Sequence, residues 1–119
     1  MKTRGEEYAC PDLNELAMDL SQMMVLIGFE GTSTKNVHQK LLLAVGEIVE
    51  AQEELREGRP LGRVFIETNG KPTGFPTEIA DAIIRLLSIA HDLDIDISAV
   101  INQKSQYNLT RPYRHGRAF

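Results

Sequence analysis

The most constraining feature of this sequence is a helical segment, residues 76–93, that is apolar around most of its circumference. At about 100° per residue, its apolar side chains cover well over half of the helix surface. Such a helix has to be buried on more than one side. In a chain of 119 residues the simplest way to bury it is self-association, so we expect a helical dimer or a larger assembly. These apolar residues are Ile79, Ala82, Ile83, Ile84, Leu86, Leu87, Ile89 and Ala90.

Caps and helix-breaking residues predict three further helices. Asp12 and Glu15 have the spacing of a capping box, and Gly28 follows the first apolar stripe as a stop signal. Gly58 ends the second helix, and Asp96 is the expected N-cap of the last one. The predicted helices cover residues 12–27, 36–57, 76–93 and 96–108.

The segment between the second and third helices predicts a short β-hairpin. Residues 64–66 favour a strand, and Asn69-Gly70 is a typical hairpin turn. Together with the four helices, this predicts an all-α fold in one domain spanning residues 1–119, a length that suits a single core.

Composition and charge exclude several classes of function. The net charge of −4 has the wrong sign for a protein that grips nucleic acid by its phosphates. The apolar runs are too short to cross a bilayer, so we expect no membrane partner. Residues 1–7 lack the apolar stretch of a signal peptide, and Cys10 is the lone cysteine, so we expect a cytoplasmic protein.

Four carboxylates are the candidate metal ligands. Glu47 and Glu50 lie three residues apart on the second helix, and Glu78 and Asp81 have the same spacing on the third. Residues at this spacing are neighbours on a helix surface. Two such pairs on facing helices would repel each other unless a cation such as Mg²⁺ neutralised them. From spacing alone, however, a solvated acidic face on the second helix is the commoner interpretation.

Two neighbouring features narrow the chemistry of this set. No histidine of the chain has a glutamate three residues before it, so the Glu-x-x-His ligands of di-iron bundles are missing. An all-oxygen ligand set favours Mg²⁺ or Mn²⁺ over iron. On the third helix Arg85 follows Asp81 by four residues, which predicts an ion pair between the two.

Three motifs in a fixed order resemble the MazG-like all-alpha NTP pyrophosphatases over residues 12–119. The first motif is the E-x-x-E of Glu47 and Glu50, and the second is the E-x-x-D of Glu78 and Asp81. The third is a K-x-x-x-N helix end at residues 104–108, followed by R-P-Y-x-H-G at residues 111–116. The resemblance implies a four-helix MazG-like bundle with a hairpin insertion, assembled as a dimer or a dimer of dimers.

The resemblance also implies an activity: Mg²⁺- or Mn²⁺-dependent hydrolysis of a nucleoside or deoxynucleoside triphosphate to a monophosphate and pyrophosphate, as nucleotide-pool housekeeping. Glu50, or its neighbour Glu53 or Glu54, would accept the proton of the attacking water. Phe29 is the nearest substitute for a base-stacking tryptophan, which this chain lacks. The implied metal ligands are Glu47, Glu50, Glu78 and Asp81, and the implied substrate contacts are Lys104, Asn108 and Arg111.

Two alternatives remain open at this point. The chain would be a catalytically idle bundle that binds nucleotides or partners, or an enzyme acting on another pyrophosphate substrate such as phosphoribosyl-ATP. The intact set of four carboxylates argues against the idle bundle.

Overall fold

The structure, a computed structural model, describes residues 8–116 and is mostly helical over that range. The described part contains four α-helices, one two-stranded sheet and a final 3₁₀ turn. The predicted all-α class is therefore confirmed at the level of secondary structure. The elements are α1 (Asn14–Leu26), α2 (Val37–Glu57), β1 (Phe65–Ile66), β2 (Pro72–Thr73), α3 (Phe75–Asp92), α4 (Ile97–Thr110) and the 3₁₀ turn Tyr113–Gly116.

Helix α3 organises the fold because α1 and α2 both pack against it, whereas α4 contacts it more lightly. This agrees with the prediction that the third helix is buried on more than one side. Much of its apolar surface still faces outward: Ile83 is 50% exposed and Leu86 is 47% exposed. No helix in the described residues is both long enough and apolar enough to cross a membrane.

Helix α1 begins at Asn14, and the carboxylate of Asp12 accepts a hydrogen bond from the backbone N–H of Asn14 at 2.9 Å. Contacts with α4 hold the same end of the helix. The backbone N–H of Leu13 donates to the hydroxyl of Ser98 at 2.6 Å, and the side-chain amide of Asn14 donates to the carboxylate of Asp96 at 2.8 Å. The start of α1 is therefore bound to the start of α4, where Asp96 also acts as the predicted N-cap.

Helix α2 buries small residues on a side that also carries two of its glutamates. Its buried residues are Ala44 and Ala51, and the side chains of Glu47 and Glu54 are only 13% and 15% exposed. The interpretation of a solvated acidic face on this helix therefore does not hold for Glu47 and Glu54. The outer face of α2 is instead apolar, with exposed Leu41, Leu42, Val45, Ile48 and Val49.

The hairpin between α2 and α3 is present, with Phe65 opposite Thr73 and Ile66 opposite Pro72. Its loop contains three residues rather than the two-residue turn that Asn69-Gly70 suggests. The N–H of Gly70 donates to the carbonyl of Glu67 at 2.9 Å, and Gly70 has a left-handed φ of 87°. This is the turn followed by a left-handed residue that is common in three-residue hairpin loops.

The hairpin is fixed to both flanking helices. Arg59 forms two hydrogen bonds to the carboxylate of Glu54 on α2, at 2.7 and 3.0 Å, and lies 4.4 Å from the centre of the Phe65 ring. At the other end Gly74 has a φ of 119°, and a Cβ at this position would lie 2.9 Å from the carbonyl oxygen of Arg63. Only glycine allows this close junction between the hairpin and α3.

Candidate metal centre

Three carboxylates meet where the middle of α2 faces the first turns of α3. Glu47 and Glu50 come from α2 and Glu78 comes from α3, and each offers a ligand oxygen within 4.8 Å of the other two. Glu47 and Glu78 are partly buried, whereas Glu50 is exposed. The structure therefore brings together three of the four predicted ligands, with one of them accessible to solvent.

Glu78 carries the strongest electrostatic strain of the group. Burial raises the pKa of Glu78 to about 8, and the carboxylates of Glu50 and Glu47 contribute to the same shift. Its Oε2 atom is buried and has no hydrogen-bond partner. An unpaired buried carboxylate oxygen is costly, so this position requires either a proton or a cation.

Asp81 lies one turn further along α3 and outside the group of three. Burial is the main cause that raises the pKa of Asp81, and the carboxylates of Glu47 and Glu50 add to it. The positive charges of Arg85 and Lys71 act in the opposite direction. Asp81 therefore shares the electrostatic environment of the carboxylate group.

Arg85 binds Glu47 rather than its predicted partner Asp81. Its Nε atom lies 3.0 Å from Oε1 of Glu47, in an ion pair whose side chains are only 18% and 13% exposed. Spacing along one helix suggested Asp81, but the packing of α2 against α3 brings the Glu47 carboxylate within reach. The guanidinium thus neutralises one carboxylate of the group, whereas the buried Oε2 of Glu78 has no such partner.

A cleft of about 190 Å³ opens beside these carboxylates between α1, α2 and α3. One side is polar, with Glu47, Asp81 and Arg85, and the other side is apolar. A cleft with an apolar wall and a few convergent polar groups is the usual form of a small-molecule site. The apolar wall consists of Met23, Met24, Ile27, Phe29 and Ile84.

The end of α1 sets the position of Phe29 in this wall. Gly28 has a φ of 107° and donates to the carbonyl of Val25, while the N–H of Phe29 donates to the carbonyl of Met24 at 3.0 Å. This pair of bonds is a Schellman motif, in which glycine supplies the left-handed residue. The Phe29 ring has Arg85 and Lys40 each 5.9 Å from its centre.

Helix α3 carries one polar stripe, which begins at Glu78, Asp81 and Arg85 and continues through Ser88 to a third carboxylate, Asp92. The hydroxyl of Ser21 on α1 donates to Oδ1 of Asp92, and the backbone N–H of Thr32 donates to Oδ2 at 2.8 Å. Asp92 thereby connects α1, α3 and the segment that joins α1 to α2.

The three predicted substrate contacts lie apart from the carboxylates in this chain. Lys104 and Asn108 are exposed on α4, and Arg111 directly follows it. The cations of Lys104 and Arg111 lie 5.2 and 5.7 Å from the centre of the Tyr107 ring. None of these residues lines the cleft beside Glu47 and Asp81.

Sequence reasoning missed Lys71 as a member of the polar environment, and it missed the hydrogen-bond partners of Asp92. Lys71 follows the Asn69-Gly70 turn, and the hairpin geometry places its charge near Asp81. Only the turn motif hinted that this residue has a fixed position. Asp92 belongs to the polar stripe of the third helix, but its partners Ser21 and Thr32 are distant in sequence, and no local pattern indicates them.

No protein-family model matches this chain, and neither do curated proteins or solved structures.

Proposed function

We propose that this protein is a Mg²⁺-dependent nucleoside-triphosphate pyrophosphohydrolase that cleaves between the α and β phosphates. The observation that carries the proposal is the group of Glu47, Glu50 and Glu78, whose ligand oxygens lie within 4.8 Å of one another on facing helices. The unpartnered, buried Oε2 of Glu78 supports it further, because repulsion among these groups is relieved by a hard cation with oxygen ligands.

The residues present fit such an ion. Glu47, Glu50 and Glu78 would hold it, and Asp81 would complete the set from the next turn of α3. The ion would be Mg²⁺ or Mn²⁺, both of which favour carboxylate oxygens. Once bound, it would supply neutralisation of the phosphate charge and polarisation of the phosphoryl oxygens. The sequence motifs point to the same four residues.

Glu50 is our proposed acceptor for the proton of the attacking water. Of the three glutamates considered for this role, Glu54 is held by two hydrogen bonds from Arg59, and Glu53 forms an exposed ion pair with Arg56 at 3.3 Å. Glu50 is both accessible and part of the carboxylate group. A proton acceptor has to lie within hydrogen-bond reach of the water that it activates. Of these three glutamates, only Glu50 belongs to the carboxylate group where that water would bind.

The cleft beside the carboxylates is our proposed site for the nucleoside. Its apolar wall includes Phe29 and the Met23 and Met24 side chains, which suit the faces of an aromatic base. Arg85 also lines this cleft, so its guanidinium would lie beside the polar edge of a bound base. The triphosphate would then extend towards the carboxylate group.

We further propose that a second copy of the chain covers the exposed apolar face of α2. The five aliphatic residues of this face are between 44% and 70% exposed. An exposed apolar face of this kind is typical of an interface between proteins. Lys104, Asn108 and Arg111 would then act on phosphate from α4 in the assembled protein.

The deciding experiment incubates the purified protein and Mg²⁺ with a panel of NTPs and dNTPs and measures pyrophosphate and orthophosphate separately. The expected result is a monophosphate and pyrophosphate in equal amounts, and no reaction when a chelator removes the metal. Release of orthophosphate alone would contradict cleavage between the α and β phosphates. Binding without any hydrolysis would favour the idle nucleotide-binding bundle.

The proposed assembly has its own test. Sedimentation of the wild-type protein should show a dimer or tetramer, and Val45→Glu, which places a charge in the apolar face of α2, should shift it towards the monomer. As a control, Glu53→Gln changes an exposed side chain on the same helix and should leave the assembly intact. A wild-type monomer at high concentration would refute the second copy.

A further inference from the structure

A small cavity whose lining includes several charged and polar side chains lies beside the proposed nucleoside cleft, between α1, α3 and the segment that joins α1 to α2. Its volume is about 20 Å³, which is room for about one water molecule. The cavity and the cleft share two lining residues, Met24 and Arg85. A substituent on a ring bound in the cleft would therefore be of the right size to enter the cavity, whereas a whole ring would not.

Asp92 determines the hydrogen-bond character of this cavity. Ser21 and the backbone of Thr32 donate to its two oxygens and fix the orientation of the carboxylate. A carboxylate has about four acceptor positions, so two remain for a further donor. Ser88 also lines the cavity, but its hydroxyl proton is used in a 2.7 Å bond to the carbonyl of Ile84.

Two cations complete the pattern. Lys40 and Arg85 line the cavity with Asp92, and both lie against the Phe29 ring. Lysine and arginine are donors only, whereas an ionised aspartate is an acceptor only. The cavity thus presents an acceptor beside donors, and the complementary ligand has a donor next to an acceptor on one edge of its ring.

We propose that this cavity selects the base of the nucleotide by its exocyclic amino group, so that cytosine and adenine are favoured over uracil, thymine and hypoxanthine. The inference rests on the proposed function. In cytosine and adenine the amino group donates and the adjacent ring nitrogen accepts, which matches Asp92 beside Arg85 or Lys40. In the disfavoured bases the substituent that enters the cavity is a carbonyl oxygen, which can accept from Lys40 or Arg85 but leaves the Asp92 carboxylate in the cavity without a further donor.

The test uses substrate pairs that differ only in this substituent. CTP is compared with UTP, and ATP with ITP, together with the corresponding deoxynucleotides, and kcat/KM is measured for each. The expected preference for the amino-bearing member is about 100-fold, since a site built for one hydrogen-bond pattern strongly rejects the other. A ratio near one in both pairs would overturn the inference.

Asp92→Asn separates base selection from a purely structural role. An amide offers a donor in place of one acceptor, so the ratios should fall to about one or reverse. Glu53→Gln is the matched control, because it makes the same kind of change at an exposed carboxylate outside the cavity. It should keep the wild-type ratios. If Asp92→Asn lowers kcat/KM equally for both members of a pair, Asp92 only holds the connecting segment and the inference is wrong.

The outcomes also distinguish this inference from the function beneath it. A wild-type protein that hydrolyses no triphosphate contradicts the proposed function itself. A wild-type protein that hydrolyses all of them equally well contradicts base selection alone. The wild-type ratios need no variant, so they decide the matter even if Asp92→Asn does not fold.

Discussion

The two ends of the polar stripe on α3 carry the same kind of group in opposite circumstances. Near the start of the helix, Glu78 faces other carboxylates and has a buried oxygen without a partner. At the end of the helix, Asp92 receives hydrogen bonds from a hydroxyl and a backbone N–H. The first carboxylate destabilises the folded chain in the absence of a proton or a cation, whereas each oxygen of the second has a hydrogen-bond donor. The difference indicates that Glu78, and not Asp92, needs a proton or a bound cation.

The largest expected effect comes from removing a negative charge from the carboxylate group at the start of α3. Glu50→Gln and Asp81→Asn should each lower the rate of pyrophosphate release at least about 100-fold, since charge neutralisation by a metal ion is worth several kcal/mol. Glu53→Gln, which changes an exposed glutamate outside the group, should retain nearly full activity. If both site variants stay active, the assignment of the metal ligands is wrong.

The next prediction concerns stability without metal, where the two ends should respond with opposite signs. At pH 8, Glu78→Gln should increase the free energy of unfolding, because a neutral amide removes the repulsion with Glu47 and Glu50. Asp92→Asn should decrease it by about 1–3 kcal/mol, because one of its two donors loses its acceptor. Denaturant unfolding at a fixed protein concentration measures both changes. A lower free energy of unfolding for both variants would contradict the distinction drawn between Glu78 and Asp92.

The pH dependence of stability should sharpen the same distinction. The pKa of Glu78 is about 8 in the folded chain and 4.5 ordinarily, so the folded state holds the extra proton between these values. The metal-free protein should therefore lose stability as pH rises from about 4.5 to about 8. Mg²⁺ should raise the melting temperature more at pH 8.5 than at pH 6, because it no longer competes with that proton.

Glu78→Gln provides the internal comparison for this pH profile. The variant lacks the titrating group, so its melting temperature should change less over the same pH range. Thermal unfolding monitored by circular dichroism, with and without Mg²⁺, gives both profiles. A wild-type stability that rises between pH 5 and pH 8 would contradict the raised pKa.

The smallest expected effect is that of Lys71, a hairpin residue whose positive charge interacts with Asp81 beside the carboxylate group. Lys71→Ala should tighten Mg²⁺ binding and raise KM for the triphosphate, each a few-fold, because exposed charge interactions contribute about 0.2–1 kcal/mol. The reason is that Lys71 repels a cation near Asp81 and attracts phosphate. Lys35→Ala, on an exposed lysine before α2, is the control. An unchanged Mg²⁺ affinity and KM would exclude this role.

Much of the fold was predictable because local signals determine it. Gly58 ends α2 in the left-handed conformation, as predicted, and the carboxylate of Asp96 accepts from the backbone of Ala99 at the start of α4. The hairpin follows from Asn69-Gly70. Each of these features depends on residues within a few positions of one another, so the sequence contains the whole cause.

The failures share the opposite property. The ion pair predicted between Arg85 and Asp81 is instead formed between Arg85 and Glu47 on a neighbouring helix. The solvated acidic face considered for α2 fails at Glu47 and Glu54 because the buried residues of this helix are small, Ala44 and Ala51, and the glutamates beside them become partly buried. Small residues let two helices approach closely, and a search for large apolar side chains does not detect them.

The outward apolar face of α2 also has a consequence for the life of the chain after synthesis. On the proposed assembly, each newly folded copy would expose the five aliphatic residues of this face to solvent until it bound another copy. Association with a second copy would then compete with non-specific binding to apolar surfaces of other proteins. Self-association would prevail only where the concentration of the chain is high. For such a protein, dilution would act as a stress in the same way as heat.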